Sequence, residues 1–253
     1  MLSTWPSSRP ARLQGETGLS VRPNAALYLL TSGYGGSPAT ERSGRHGVTL
    51  RDAKPGSARR SLDSDTVITS AARIADKEGL DKLTLTRVAD CLGVRQPALY
   101  RHVGGYDDLI RSLSLLGREI LAKRLSDSAV GLAGHDAVAA VGHAWRAMVR
   151  DHPGIYAATD RYPCAGDPEL EDAVEQVLAV VGQALRSYDL TDEDRVHAAR
   201  TLRSAFHGFS HLESGDGHPL PHDPEETFRH LVELLCAGIE RLSRNAGARG
   251  AAA

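Results

Sequence analysis

"GVRQPALYRHVGGYDDL", running from Gly93 to Leu109, holds a helix-breaking glycine, a proline, then Tyr100, Arg101 and His102 in succession, and a Gly104-Gly105 pair. A short helix over Gln96–Val103 fits between the breakers, with Pro97 in its first turn, where a missing N–H costs little. Leu99 and Val103 share one helical face, which leaves Gln96, Ala98, Tyr100 and Arg101 on the other. That outer face, with an amide, a methyl, a phenol and a guanidinium, is a surface built to meet something polar and patterned.

The residues upstream say what kind of surface it is. In "KLTLTRVADCLG" Thr84 or Thr86 stands near a helix cap, Val88, Ala89 and Leu92 face inward, and Gly93 supplies the positive φ of the turn that follows. Two helices joined by a glycine-centred turn of about four residues make a helix-turn-helix. Ala89 is small where the helices cross, and Val88, Leu92, Val94 and Leu99 form the core between them. A second helix of this kind lies in the major groove of DNA. There Gln96 suits adenine, Arg101 suits guanine and Ala98 suits a thymine methyl. Tyr100 and His102 suit phosphate oxygens, which fix register without reading sequence.

Working outward, Val67, Ile68, Ala71, Ala72, Ile74 and Ala75 follow helical spacing from about Ser64, and Gly79 ends that helix. Beyond the glycine pair a long helix runs from about Tyr106 to Leu125. Residues 135–150 form an amphipathic helix stopped at His152-Pro153, and a short helix follows through Ile155 and Tyr156. Asp167-Pro168 opens a helix to about Tyr188, Thr191 opens another reaching Glu213, and Asp223 with Pro224 and Glu226 reads as a capping box for a last helix to about Leu242. No run alternates in the manner of a strand. The expected fold is all-α with about nine helices: a three-helix helix-turn-helix unit over 61–108, then a helical regulatory and dimerisation unit over 109–245.

The charge is uneven along the chain, unlike that of one uniform enzyme body. The formal charge of the whole is -2. Residues 1–60 carry nine Lys/Arg against three Asp/Glu, while residues 107–253 carry 15 against 23. The first 60 residues, rich in Ser, Gly, Pro and Arg, read as a disordered basic arm or as an upstream start of translation, and 246–253 as a disordered tail. No apolar run reaches the ~20 residues of a membrane span. The three cysteines, Cys91, Cys164 and Cys236, are far apart and odd in number, which suits the cytoplasm and argues against a disulfide framework or a CxxC zinc site. There is no GxSxG, no P-loop and no GxGxxG after a strand, so neither an enzyme nor a nucleotide cofactor is expected. His207 and His211 are four apart on one helix, with His218 and His222 in the next loop, but no third ligand is evident, and no metal is expected.

Residues 64–110 resemble the DNA-binding domain of the TetR family of bacterial transcriptional regulators, through "LGVRQPALYRHV" followed two residues later by "YDDL". The likeness extends more weakly to about Leu242. "AFHGFSHLE", 205–213, is similar to the Trp-His-Gly type of ligand-binding domain, with Phe206 in place of the tryptophan. The resemblance implies that Thr84 and Thr86 contact phosphate or base, and that Gln96, Pro97, Ala98, Tyr100, Arg101 and His102 belong to the recognition helix. The family places a phosphate-contacting lysine where Tyr106 stands; either Arg101 or Arg95 compensates for that charge, or affinity is lower. It also implies a two-fold symmetric DNA operator bound by a homodimer, and a repressor released by a small-molecule effector. The expected interface is the last two long helices, with Leu202, Ala205, Phe206 and Phe209 on one and Phe228, Leu231, Leu234, Leu235 and Ile239 on the other. The expected effector pocket draws on His143, Trp145, Met148, Tyr156, Phe206 and His207. A competing expectation, motivated by Tyr106 and by the near-neutral charge of 64–106, is a helical ligand-binding protein or enzyme whose DNA-binding segment has degenerated.

Overall fold

Every regular element is a helix among the residues described by the structure, a computed structural model covering 62–250 apart from Asp216 and Pro219, with side chains as far as Asn245. The arm expected over 1–60, and residues 251–253 of the expected tail, lie outside the described residues. Helix α1 (Ser64–Glu78) starts where Asp63 accepts the Thr66 N–H at 2.7 Å and stops at Gly79. A 3₁₀ turn, Leu80–Lys82, leads to α2 (Leu85–Leu92), whose cap is Thr84: its hydroxyl accepts the Arg87 N–H at 3.2 Å. Gly93 then takes a left-handed φ of 65°, a conformation in which a Cβ is strained.

The segment expected as a helix over 96–103 is a 3₁₀ helix, Gln96–Arg101. Its N–H groups reach back three residues, Ala98 to the Arg95 carbonyl at 2.9 Å and His102 to that of Leu99 at 2.8 Å, the tighter winding that very short helices adopt. Leu99 and Val103 are buried in the core, as their spacing required.

Helix α3 (Tyr106–Ala129) is the axis of the molecule, and it buries side chains on all sides, from Leu109 to Leu125. It packs against α4 (Gly134–Asp151), α5 (Pro153–Arg161) and α6 (Pro168–Ala184), while α7 (Asp192–Ser214) and α8 (Pro224–Gly250) form an outer layer on α4. One continuous apolar core runs from Val67 in α1 to Ile239 in α8. A boundary at 108/109 falls inside α3, and the apolar core continues across it.

Three local expectations need correction. Helix α6 ends at Ala184, before Tyr188, because the chain tightens there: the Gln183 carbonyl takes the Arg186 N–H at 3.0 Å, and Leu185 and Tyr188 turn into the core. Asp223 accepts the Glu225 N–H at 2.9 Å, but Glu226 faces Arg229 and His230 instead of closing a capping box. Helix α8 continues to Gly250, so the tail expected from 246 is helical to 250.

The expected dimer face is also partly internal. Leu202, Phe206, Phe209, Phe228 and Ile239 are buried within the protomer's own core. Of the residues expected there, Leu234 is turned outward, at 72% exposure, and α7 adds the exposed Val196 and Leu212; Gly208 and Gly238 have open space beside them. The apolar stripe was real, but it was wide enough to serve the internal face first.

Candidate functional site

Two sites stand out, one on the surface of the first three helical elements and one inside the bundle. On the surface, Thr86 Oγ1 donates to Gln96 Oε1 at 3.1 Å, and Gln96 Nε2 donates to Tyr100 Oη at 3.3 Å. This ladder joins α2 to the 3₁₀ segment and holds the polar groups in one orientation. Thr84, Thr86, Arg95, Pro97, Tyr100 and Arg101 are exposed, with Tyr100 at 53%, while Gln96, Ala98, His102 and Tyr106 are half-buried. The Ser64 hydroxyl donates to the His102 carbonyl at 3.0 Å, fixing the end of the segment on α1.

The electrostatics of this face are sharper than its near-neutral total suggests. Arg87 is already paired with Glu78, which holds the Glu78 carboxyl below its ordinary value. Neither Arg95 nor Arg101 has a carboxylate within 4 Å among the described residues, so both charges are open to an anion. Asp107 and Asp108 lie in the first turn of α3 beside Tyr106, and Asp108 accepts the Gly104 N–H at 2.8 Å. The start of α3 thus presents carboxylates where a phosphate would prefer a cation.

The second site is a cavity of about 460 Å³ among α3, α4, α5, α6 and α7, open to the surface beside the exposed Leu178, Arg200 and Arg203. Trp145, Tyr156 and His207 line it together: Trp145 Nε1 donates to Tyr156 Oη at 2.8 Å, and Tyr156 Oη lies 2.9 Å from His207 Nδ1. Burial pushes the Tyr156 phenol up to about 12, so it stays protonated and able to donate. Arg118, Thr159, Asp160, Cys164, Arg200 and Arg203 complete the polar wall.

The other three residues expected at the pocket are placed elsewhere. Met148 is fully buried, the Phe206 ring lies against Gly142, and exposed His143 meets the Phe228 ring edge-on. His207 and His211 stack with ring centroids 5.8 Å apart, and His218 packs on Phe209. No trio of His, Cys, Asp or Glu is arranged to hold a metal ion among the described residues.

The two sites are joined by α5. Asp76, near the end of α1, reaches across: its Oδ1 accepts the Ile155 N–H at 2.9 Å and its Oδ2 lies 2.9 Å from His152 Nδ1. Arg124 of α3 meets His152 Nε2 at 3.0 Å and Asp151 at 2.8 Å. This arrangement fits the histidine tautomer with its proton on Nδ1, donating to Asp76 and accepting from Arg124. Gly154 lies directly on the α1 backbone, with no room for a Cβ. One turn further on, the same helix supplies Tyr156, Thr159 and Asp160 to the cavity.

Sequence reasoning missed Arg118, Asp160, Arg200 and Arg203 at the cavity, and Asp76 and Gly154 at the junction. Arg118 gave one signal, a charge set with Glu119 in the otherwise mostly apolar stretch "LSLLGREILA". The others look like ordinary helix surface until the helices are brought together.

Residues 138–235 match the family described as "Tetracyclin repressor-like, C-terminal domain". The chain is 35% identical over 187 residues to the uncharacterized HTH-type transcriptional regulator Rv0681 of Mycobacterium tuberculosis, covering 74% of this chain and 85% of that one. Among solved structures it resembles BioQ with its double-stranded DNA operator, at 24% identity and a TM-score of 0.53, over 71% of this chain and 99% of that one. It also resembles a single-residue variant of TetR from Acinetobacter baumannii in complex with minocycline, at 24% identity and a TM-score of 0.56, over 72% and 99% of the two chains.

Proposed function

The chain belongs to the TetR family of helix-turn-helix transcriptional regulators, and from that premise we propose that it is a dimeric repressor, working in the cytoplasm, that leaves its operator when a small molecule fills the internal cavity. The observation that carries the reading is the pairing of a preorganised polar face with a cavity on the two sides of one short helix. Thr86, Gln96 and Tyr100 are already hydrogen-bonded to one another, so little ordering remains when the segment enters a major groove. Gln96 and Arg101 read bases, Ala98 meets a methyl group, and Thr84, Arg95, Tyr100 and His102 hold phosphates.

A 3₁₀ segment of six residues buries little surface by itself. Two copies, joined through the outward faces of α7 and α8 at Leu212 and Leu234, place two segments one helical turn of DNA apart. A solved protein of the same fold holds minocycline; in this chain the internal cavity is the natural place for an effector. A molecule pressing on Tyr156, Thr159 and Asp160 moves α5, and α5 moves α1 through Asp76 and Gly154. Ligand thereby favours the arrangement whose two segments no longer match the groove spacing.

The test is operator selection from random duplexes by the full-length chain, followed by salt titration. The expected winner is two-fold symmetric, with affinity that falls steeply with salt. On that operator, Tyr100→Ala and Arg101→Ala each weaken binding by about 10- to 100-fold, with unchanged thermal unfolding because both side chains are exposed. Unchanged affinity in both sinks the assigned recognition face. Tyr106→Lys tightens binding and makes the salt slope steeper by about one phosphate contact. A looser complex places Tyr106 away from the DNA backbone.

A further inference from the structure

The cavity wall carries an unbalanced charge. Arg118, Arg200 and Arg203 line it against a single carboxylate, Asp160. Arg118 is the informative one, because its side chain is buried. Every hydrogen bond its guanidinium makes goes to a neutral oxygen: Ser114 Oγ, the Ser114 carbonyl at 3.1 Å, the Thr159 carbonyl at 2.9 Å and the Tyr162 carbonyl at 3.4 Å. These acceptors fix the group in the wall, and none of them carries a negative charge. No carboxylate comes within 4 Å of it among the described residues.

Burial, with the like charge of Arg203 adding to it, draws the Arg118 guanidinium below its ordinary value while leaving it a cation. A buried ion without a counter-charge is costly, and natural structures supply a partner. Arg200 and Arg203 are exposed at the cavity and likewise lack a carboxylate within 4 Å among the described residues. Asp160 lies 4.0 Å from His207 Nδ1 and reaches Arg118 only at longer range. Leu121, Trp145, Val174 and Val177 give the same lining an apolar part.

We infer that the cavity takes an organic anion, with its apolar body against Leu121, Trp145, Val174 and Val177 and its carboxylate-like group held by Arg118, Arg200 and Arg203. The inference rests on reading the cavity as the effector site. The anion supplies the counter-charge that the wall lacks, so part of its binding comes from relieving a penalty the unliganded protein carries. A neutral molecule of equal shape gains the apolar contact alone.

Two dyes of matched skeleton test this with the full-length chain. 8-Anilinonaphthalene-1-sulfonate carries the anion, and N-phenyl-1-naphthylamine is the same aromatic body without it. Fluorescence titration is expected to show one sulfonate dye per chain, bound at least about tenfold more tightly than the neutral dye. The preference is expected to fall to near parity in Arg118→Gln and in the double variant Arg200→Gln/Arg203→Gln. The double variant changes only exposed side chains, so it tests the charge even if Arg118→Gln folds poorly. Parity in the unaltered protein, binding of neither dye, or a preference undiminished in the double variant overturns the inference. Operator release is measured in parallel. A sulfonate dye that binds with the expected preference but leaves the operator complex intact counts against the cavity's regulatory role, and leaves the ligand class standing.

Discussion

Gly154→Ala lowers stability by about 3 kcal/mol, at the upper end of overpacking penalties, even though alanine is the better helix former by about 1 kcal/mol. The two effects oppose each other, and geometry decides between them. A Cβ at 154 falls 2.5 Å from the Asp76 backbone nitrogen and closer still to the Ala75 carbonyl. Those are backbone atoms within and against helices, and they cannot turn aside as a flexible side chain would. The two helices must separate, and the separation pulls Asp76 from the Ile155 N–H and from His152. The expected record is a lower midpoint in urea, together with faster hydrogen exchange at the end of α1. Operator release by ligand weakens as well, because the movement of α5 no longer reaches α1. A variant of undiminished stability shows that the junction is looser than this contact requires.

The contrast between what sequence disclosed and what it withheld follows the range of the interactions. The end of α1, the turn at Gly93 and the outer face of 96–101 were legible because glycine, proline and capping residues act on their immediate neighbours. Tyr100 and Gln96 declared themselves by being polar opposite a Leu99 that had to be buried. The cavity was half legible: Trp145, Tyr156 and His207 are large, partly polar groups on helices that had to converge. Arg200 and Arg203 were not, because a surface arginine and a cavity arginine have the same local sequence. Phe206, Phe209 and Phe228 mark another limit. Helical spacing shows that a face is apolar, but only the arrangement of neighbours decides whether the protomer or its partner covers it.

Arg146→Ala carries the second large effect, about 3 kcal/mol, the lower end for breaking a buried ion pair. Arg146 is buried in α4 and clamps both outer helices: its Nε and Nη2 donate to Glu213 of α7 at 2.8 and 2.6 Å, and Nη1 donates to Glu225 of α8 at 2.5 Å. Its guanidinium also lies 5.4 Å from the centre of the Phe209 ring and 5.0 Å from that of Phe228. The loss stays at the lower end because Glu225 is exposed and can recover water.

The same clamp gives a pH signature. The hydrogen bond from Arg146 holds the Glu213 carboxyl below its ordinary value of 4.5. The contribution is therefore complete above that value and is lost as pH falls below it toward the depressed folded value. Asp167, lowered in the same sense by Arg111, adds to the trend. Urea melts at about pH 7 and about pH 3.5 show a fall in stability for the unaltered chain and a shallower fall for Arg146→Ala. Equal slopes remove the clamp as a source of acid sensitivity.

Helix α5 has a consequence for how such a chain can diversify. Within nine residues, Gly154 and the Ile155 N–H meet α1, while Tyr156, Thr159 and Asp160 line the cavity. On the proposed reading of the cavity as the effector site, substitutions in the second group change which molecule is sensed and leave the junction intact. Substitutions in the first group break the message whatever the molecule. Duplicated copies of the gene are thus free to drift toward new chemical signals while keeping both the old operator and the old linkage, and the steric demand at position 154 is what keeps those two histories separate.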